Sequence, residues 1–200
     1  VVTAFKKLYP KVHLRLHQGS PVEIGKLLLS GEADIGLATE TLGLIPELAS
    51  FPYYNWHHGV IIPKGHELAN EKTLTLEAIG RYPIITYHEG FTGRALIEKA
   101  FAAENILPDI VMSALDADVI KSYVELGLGI GIIASIAFDA QRDQGLQMLN
   151  ADHLFPENLT RIAVRRGHLL RRFAYDFIEL CSPELTEKVV TADISLGEDD

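Results

Sequence analysis

The side chains best suited to chemistry gather at residues 87–94, YHEGFTGR. Thr92 carries a neutral hydroxyl that can donate a hydrogen bond or cap a helix, and Gly90 and Gly93 let the backbone approach a ligand closely. The apolar run PIIT stands before this loop, and ALIEKAFAAENI, with a helical pattern, follows it. A helix opening here offers unpaired N–H groups and the positive end of its dipole, a place for a small anion. Hydrogen bonds to a charged partner are worth about 1.5–3 kcal/mol each, and several together suit reversible sensing. The same residues also make an efficient capped turn, and spacing alone leaves both readings open.

Catalytic patterns are missing elsewhere. The sequence holds no G-x-S-x-G, no H-E-x-x-H, no phosphate-binding loop and no paired C-x-x-C, so no residue is assigned a catalytic role. His57 and His58 are neighbours, and adjacent strand residues point to opposite faces, so they do not make a metal pair and no metal is expected. Asp116 and Asp118 read as rivals for the cap of a helix starting near Val119. Gly127, Gly129 and Gly131 follow a helix and open an apolar strand, the reverse of a dinucleotide fingerprint; they read as a helix C-cap and a tight strand entry. Cys181, the single cysteine, has Phe177, Ile178 and Leu180 for neighbours and reads as a packed thiol, in keeping with a reducing compartment.

A formal charge of −9 argues against a broad grip on nucleic acid. It does not exclude a small anion, because salt screens long-range repulsion beyond about 8 Å. The basic cluster at residues 161–172 reads as a solvated face. No apolar run reaches the ~18 residues that span a bilayer, so no membrane partner is expected.

These residues need elements to position them. VVTAFKKLYP sets Val1, Val2, Phe5 and Leu8 at helical spacing before Pro10, and its uncapped start reads as a cut from a longer chain. KVHLRLHQGS alternates Val12, Leu14 and Leu16 with polar residues, a half-buried strand. Ser20 to Glu23 forms a capping box for a helix stopping at Gly31, and ADIGLATE is a strand whose last residues, Thr39 and Glu40, emerge into a loop. Helix, strand, helix, strand predicts parallel pairing with right-handed crossovers. Further strands are expected within residues 48–63, at PIITY, DIVMSAL, LGIGIIA and LTRIAVRR, with a weaker one after Gln147. Helices are expected at LTLEAIG, TGRALIEKAFAAENI, DADVIKSYVELG and HLLRRFAYDFIELCS, the last striped by Phe173, Phe177 and Leu180. After Ser182 the chain reads as a tail that grows acidic, ends GEDD and is expected to fray. The fold class is α/β, with two Rossmann-like lobes: lobe I at residues 1–53 and 156–200, lobe II at residues 54–155.

HQGSP, EADIGLATE, the NWHH segment, YPIITYHEGFTGR, DADVIKSYVELGLGIGIIAS and RRGHLLRRFAYDFIEL occur in order from Val1 to about residue 190. Together they resemble the effector-binding domain of LysR-type transcriptional regulators, and more narrowly its cysteine-regulon branch, CysB and Cbl. The resemblance implies a type 2 periplasmic-binding-protein-like fold with a ligand cleft between the lobes, in a cytoplasmic homo-oligomer (dimer or tetramer). It implies a winged helix-turn-helix that binds DNA, and the first strand of lobe I, both before Val1. The implied effectors are sulfate, O-acetylserine or N-acetylserine, with no further cofactor. Carried over from the branch, Thr39 and Thr92 contact a bound sulfate and Tyr54 and Trp56 are pocket walls; Gly93, on the loop's own composition, lets the backbone approach the anion. His88 and Glu89 depart from the less charged residues of the branch, and Glu89 opposes an anion unless it turns outward. The alternative is a periplasmic-type oxyanion-binding transport protein of the same general fold; an enzyme on this scaffold lacks an acid/base pair.

Overall fold

Strands of nearly unbroken β-branched residues need cover on both faces, and helices supply it. A computed structural model describes residues 1–195, so the GEDD tail lies outside the described residues. The elements in chain order are α1 (Val2–Leu8), α2 (Pro21–Ser30), β1 (Gly36–Thr39), β2 (Leu48–Trp56), β3 (His58–Pro63), α3 (Leu76–Ile79), β4 (Ile84–Tyr87), α4 (Thr92–Ala103), β5 (Ile110–Ala114), α5 (Ala117–Glu125), β6 (Ile130–Ala134), β7 (Leu146–Asn150), β8 (Asn158–Arg165), α6 (Arg172–Cys181) and α7 (Glu187–Ser195). The chain divides into two compact units, with crossings at Tyr54/Asn55 and Asn158/Leu159.

Unit 2, residues 55–158, holds a sheet in the order β5-β4-β6-β3-β7. β4 runs parallel to β5 and β6, while β3 runs antiparallel to β6 and β7. Period-two alternation sorts its side chains. Val60, Ile62, Ile84, Ile130 and Ile132 pack on one face against Ile97 and Phe101 of α4. Ile61, Ile85 and Ile133 pack on the other against Ile120 and Val124 of α5. Each such side chain contributes about 1.5–3 kcal/mol on burial. Caps fall where the residue types place them: Thr75 accepts from the Ala78 amide, and Asp116, not Asp118, accepts from that of Val119. Asp118 instead pairs with Lys121 at 2.9 Å.

Entry into β6 is tight. Gly127 takes φ +80° after α5, as a C-cap glycine does. The Ile130 amide donates to the Pro83 carbonyl at 2.9 Å, and a Cβ on Gly129 would collide with that same oxygen.

Unit 1, residues 1–54 with the described part of 159–200, holds the sheet β1-β8-β2. Leu28 of α2 packs with Leu42, Leu48 and Ala163 on one face. Tyr175 and Ile178 of α6, with Val190 and Ile194 of α7, cover Ala49, Phe51, Ile162 and Val164 on the other. The capping box of α2 is present, with Ser20 and Glu23 satisfying each other's amides.

Four expectations need correction. Residues 12–20 form no strand. Residues 12–17 line a groove of about 260 Å³ together with Phe5, Leu37, Phe173 and Phe177. An alternating pattern becomes a strand only when a neighbour completes its ladder. For the same reason the parallel pairing fails: β1 pairs antiparallel with the returning β8, from Gly36↔Ala163 to Thr39↔Thr160. In α6, which starts at Arg172, the buried stripe is Ala174, Tyr175 and Ile178; Phe173 and Phe177 sit at its margin, where Phe177 meets Phe5 of α1 with centroids 5.2 Å apart. Finally, the stretch after Ser182 is not all tail, because Val190 and Ile194 bury one face of α7.

Gly129→Ala should cost about 2–3 kcal/mol, since the opposing atom is a hydrogen-bonded backbone oxygen that cannot swing away. Gly90→Ala, at φ +91° with open space around it, should cost only about 1 kcal/mol. Urea unfolding of the two variants checks this, and equal losses would remove the steric account of the β6 entry.

Candidate functional site

Where β4 stops, its polar groups need partners, and the partners assemble one end of the unit 2 sheet. Thr86 is fully buried and donates to the Ile132 carbonyl at 2.8 Å. The Ala134 amide donates to the Tyr87 hydroxyl at 2.9 Å, and the His88 amide to the Ala114 carbonyl at 2.9 Å. The buried Arg94 donates through Nη1 to the Tyr87 carbonyl at 3.1 Å and through Nε to Glu98 at 2.8 Å. Helix α4 is thereby anchored from its third residue back to the last residue of β4.

Phe91, extended at φ −86° and ψ 135°, is the N-cap of α4, and no side-chain cap bond is made. Thr92 is already the first helical residue, so the expectation that Thr92 caps the helix is corrected. A cap must stay extended to lay its oxygen over the first turn. Phe91 therefore offers the first turn of α4 no capping oxygen from its side chain, while the Arg94 amide donates to the Phe91 carbonyl at 3.0 Å. Glu89 is exposed in the preceding turn, and its carbonyl lies 2.7 Å from His88 Nδ1.

Behind this turn lies a cluster missed in the sequence. Gly93 is buried, and a Cβ there would stand 2.9 Å from His58 Nε2 and 3.5 Å from Trp56 Cη2. The His58 ring meets Trp56 edge-on at 5.0 Å and Phe155 at 5.5 Å. The structure thus brings Trp56, Gly93 and the first residue of β3, His58, together. His57 turns the other way, half exposed, with Nε2 3.5 Å from Glu157. His57 is the link between β2 and β3 and lies in neither strand, so it is the connection and not strand alternation that separates the two imidazoles, and nothing local marks the buried one as a neighbour of residue 93. Three buried polar atoms here have no hydrogen-bond partner: His57 Nδ1, His58 Nε2 and Asn158 Oδ1. Burial lowers the His58 pKa to about 4, and the neighbouring His57 acts in the same direction.

Thr39 and Tyr54 belong to unit 1. Thr39 is half-buried at the end of β1, opposite Thr160, and starts a 3-10 turn over Glu40–Leu44. Tyr54 is exposed and packs edge-on against Tyr53 at 4.7 Å. Two members of the basic cluster are engaged internally, Arg161 donating to Ser50 Oγ at 2.6 Å and to its carbonyl at 2.7 Å and Arg166 reaching the Pro46 carbonyl and Asp193, while Arg171 and Arg172 are exposed as a solvated face requires. Among the described residues, no group of three or more His, Cys, Asp or Glu is placed to hold a metal ion. No helix of the described residues is long and apolar enough to cross a membrane.

Comparison with known proteins gives a consistent set of relatives. The family described as LysR substrate binding domain matches residues 1–186. The HTH-type transcriptional regulator SsuR of Burkholderia cenocepacia is 51% identical over 187 residues, which is 94% of this chain and 61% of that protein. The regulator CysB of the same organism is 46% identical over 189 residues, 94% of this chain and 60% of its own length. The chain thus spans about three fifths of these curated relatives. Among solved structures, the cofactor-binding domain of the Cbl transcriptional regulator superposes with a TM-score of 0.88 at 44% identity, covering 96% of this chain and 85% of that one.

The buried histidine has a thermodynamic signature. Its folded pKa of about 4 lies below the ordinary value of 6.5, so the unfolded chain binds the proton first as pH falls. Stability is full above pH 6.5 and declines down to about pH 4, by about 2–3 kcal/mol from this group. His58→Phe should flatten the pH dependence of urea unfolding between pH 7 and pH 4.5 by that amount. Superimposable pH profiles would show that His58 does not titrate this way.

Proposed function

Because the chain belongs to the LysR substrate-binding domain family, we propose that it is the effector-sensing part of a sulfur-responsive LysR-type transcription regulator in the group of SsuR, CysB and Cbl. Its α/β fold is the type 2 periplasmic-binding-protein-like fold of that family. The effector is a small oxyanion, sulfate, or an acetylserine such as O-acetylserine or N-acetylserine, whose carboxylate offers the same acceptor oxygens. The observation that carries this reading is the start of α4: an uncapped first turn, a buried glycine, and Glu89 exposed in the preceding turn. Such a helix end suits an acceptor-rich anion and gives a cation nothing.

Thr39, Thr92 and Gly93 are the proposed effector contacts, with Tyr54 and Trp56 as apolar walls. Threonine hydroxyls and backbone amides donate without adding charge, so the anion is held by hydrogen bonds and released readily. In the whole protein an N-terminal winged helix-turn-helix grips DNA, and the effector acts on a cytoplasmic homo-oligomer, a dimer or tetramer. Sensing requires that the effector bind one assembly state better than another, because equal affinity for both shifts nothing. No side chain is given a catalytic role. The transport reading is not favoured, since the relatives named above are transcriptional regulators.

Calorimetry on the full-length protein tests the site. Thr92→Ala and Thr39→Ala should each weaken sulfate or acetylserine binding roughly tenfold, the equivalent of one hydrogen bond to a charged group. The unfolding midpoint of the effector-free protein should hold for Thr92→Ala, since Phe91 and not Thr92 is the cap. Unchanged affinity with a lowered midpoint would return residues 87–94 to the status of a structural turn.

A further inference from the structure

The hydrogen-bond geometry around His58 favours one placement of its proton. Asn158 Nδ2 lies 3.3 Å from the Pro156 carbonyl and 3.4 Å from His58 Nδ1. A carbonyl oxygen only accepts, so the amide group facing Pro156 is the NH2, and its second hydrogen is directed to His58. Nδ1 is then the acceptor, and a neutral ring with Nδ1 accepting carries its hydrogen on Nε2. That nitrogen is buried, has no partner among the described residues, and would stand 2.9 Å from a Cβ on Gly93, the second residue of a twelve-residue helix. An unpartnered buried donor is unfavourable and calls for an acceptor.

Resting on the oxyanion reading above, we propose that His58 supplies a neutral Nε2–H donor to an effector oxygen at the first turn of α4, with Asn158 holding the ring in the donating tautomer. The glycine at position 93 leaves the imidazole uncovered by any Cβ, so the ring nitrogen stands directly behind the helix start. Nε2 is closed off in the free protein. An arriving oxygen reaches it by a shift of the 90–93 turn, where Gly90 has positive φ and no atom lies within 4 Å of the place a Cβ would take. Donor and turn are then linked. The hydrogen bond left unmade in the free state is made in the bound one, which favours the bound arrangement of α4's N-terminus. The ring contacts with Trp56 and Phe155 keep the imidazole in place while this happens. The ligand chemistry is an acceptor-rich oxyanion; a group that itself must donate finds no acceptor on this nitrogen.

The test is sulfate and N-acetylserine binding to the full-length protein, by calorimetry, with unfolding midpoints recorded alongside. His58→Phe keeps the ring packing and deletes the donor; it should weaken binding roughly 10- to 100-fold. His58→Gln keeps a donor and should stay within about threefold of the unaltered protein, since its hydrogen bond is retained. Affinity preserved in His58→Phe overturns the contact. So does an equal loss in both variants, through binding or through folding, because that marks a packing role. If the unaltered protein binds neither probe, the oxyanion reading of the function fails and the His58 contact with it. If the unaltered protein binds and only the phenylalanine variant loses affinity, both stand.

Discussion

Everything in the candidate site depends on one requirement: the polar groups where β4 ends cannot be left bare inside the protein. A buried backbone donor or acceptor without a partner costs about 1–3 kcal/mol, so the end of a central strand must be met by groups from its surroundings. Arg94 reaches back to the Tyr87 carbonyl, the Tyr87 hydroxyl takes the Ala134 amide, and Thr86 gives its proton to Ile132. Those bonds bind β4, β6 and the start of α4 into one unit. A helix held this firmly from Arg94 onward is pre-organised, and the ordering left to an arriving ligand is confined to the 90–93 turn ahead of it.

The electrostatic character of that helix start follows from what is excluded as much as from what is present. Arg94 is buried, but its charge is paired with Glu98, and Glu89 is exposed to solvent. His58 is held neutral by burial at any pH a cell maintains. The helix start therefore presents donors, not net charge. A site built from neutral donors binds an oxyanion without the deep trap that an unpaired guanidinium makes, and modest affinity is what a sensor of changing concentrations needs. The same logic explains why an overall charge of −9 is compatible with an anion as effector: local amides outweigh distant, screened carboxylates.

The family match and the geometry support each other at different scales. Identity of 44–51% with SsuR and the Cbl domain places the chain in the LysR family across nearly its whole length. The geometry adds what identity does not show, a buried histidine whose tautomer is set by an asparagine a hundred residues away in the chain.

Much of this was legible in the residues alone. Local signals with local causes translated directly: the Ser20 to Glu23 capping box, the Thr75 and Asp116 caps, the Gly127 C-cap, and the apolar runs of β3, β4 and β6. Each is decided within a few residues of itself, so sequence suffices. Tertiary structure decided the rest. Residues 12–17 alternate like a strand but line a groove, because a strand exists only through its neighbour. β1 runs antiparallel to β8, a partner from more than a hundred residues away that no local pattern identifies. Val190 and Ile194 made a helix of an expected tail because a sheet face needed cover. His58 was legible as half of an adjacent histidine pair; that it is the buried one and lies against Gly93 and Asn158 is set by contacts that no window of sequence contains.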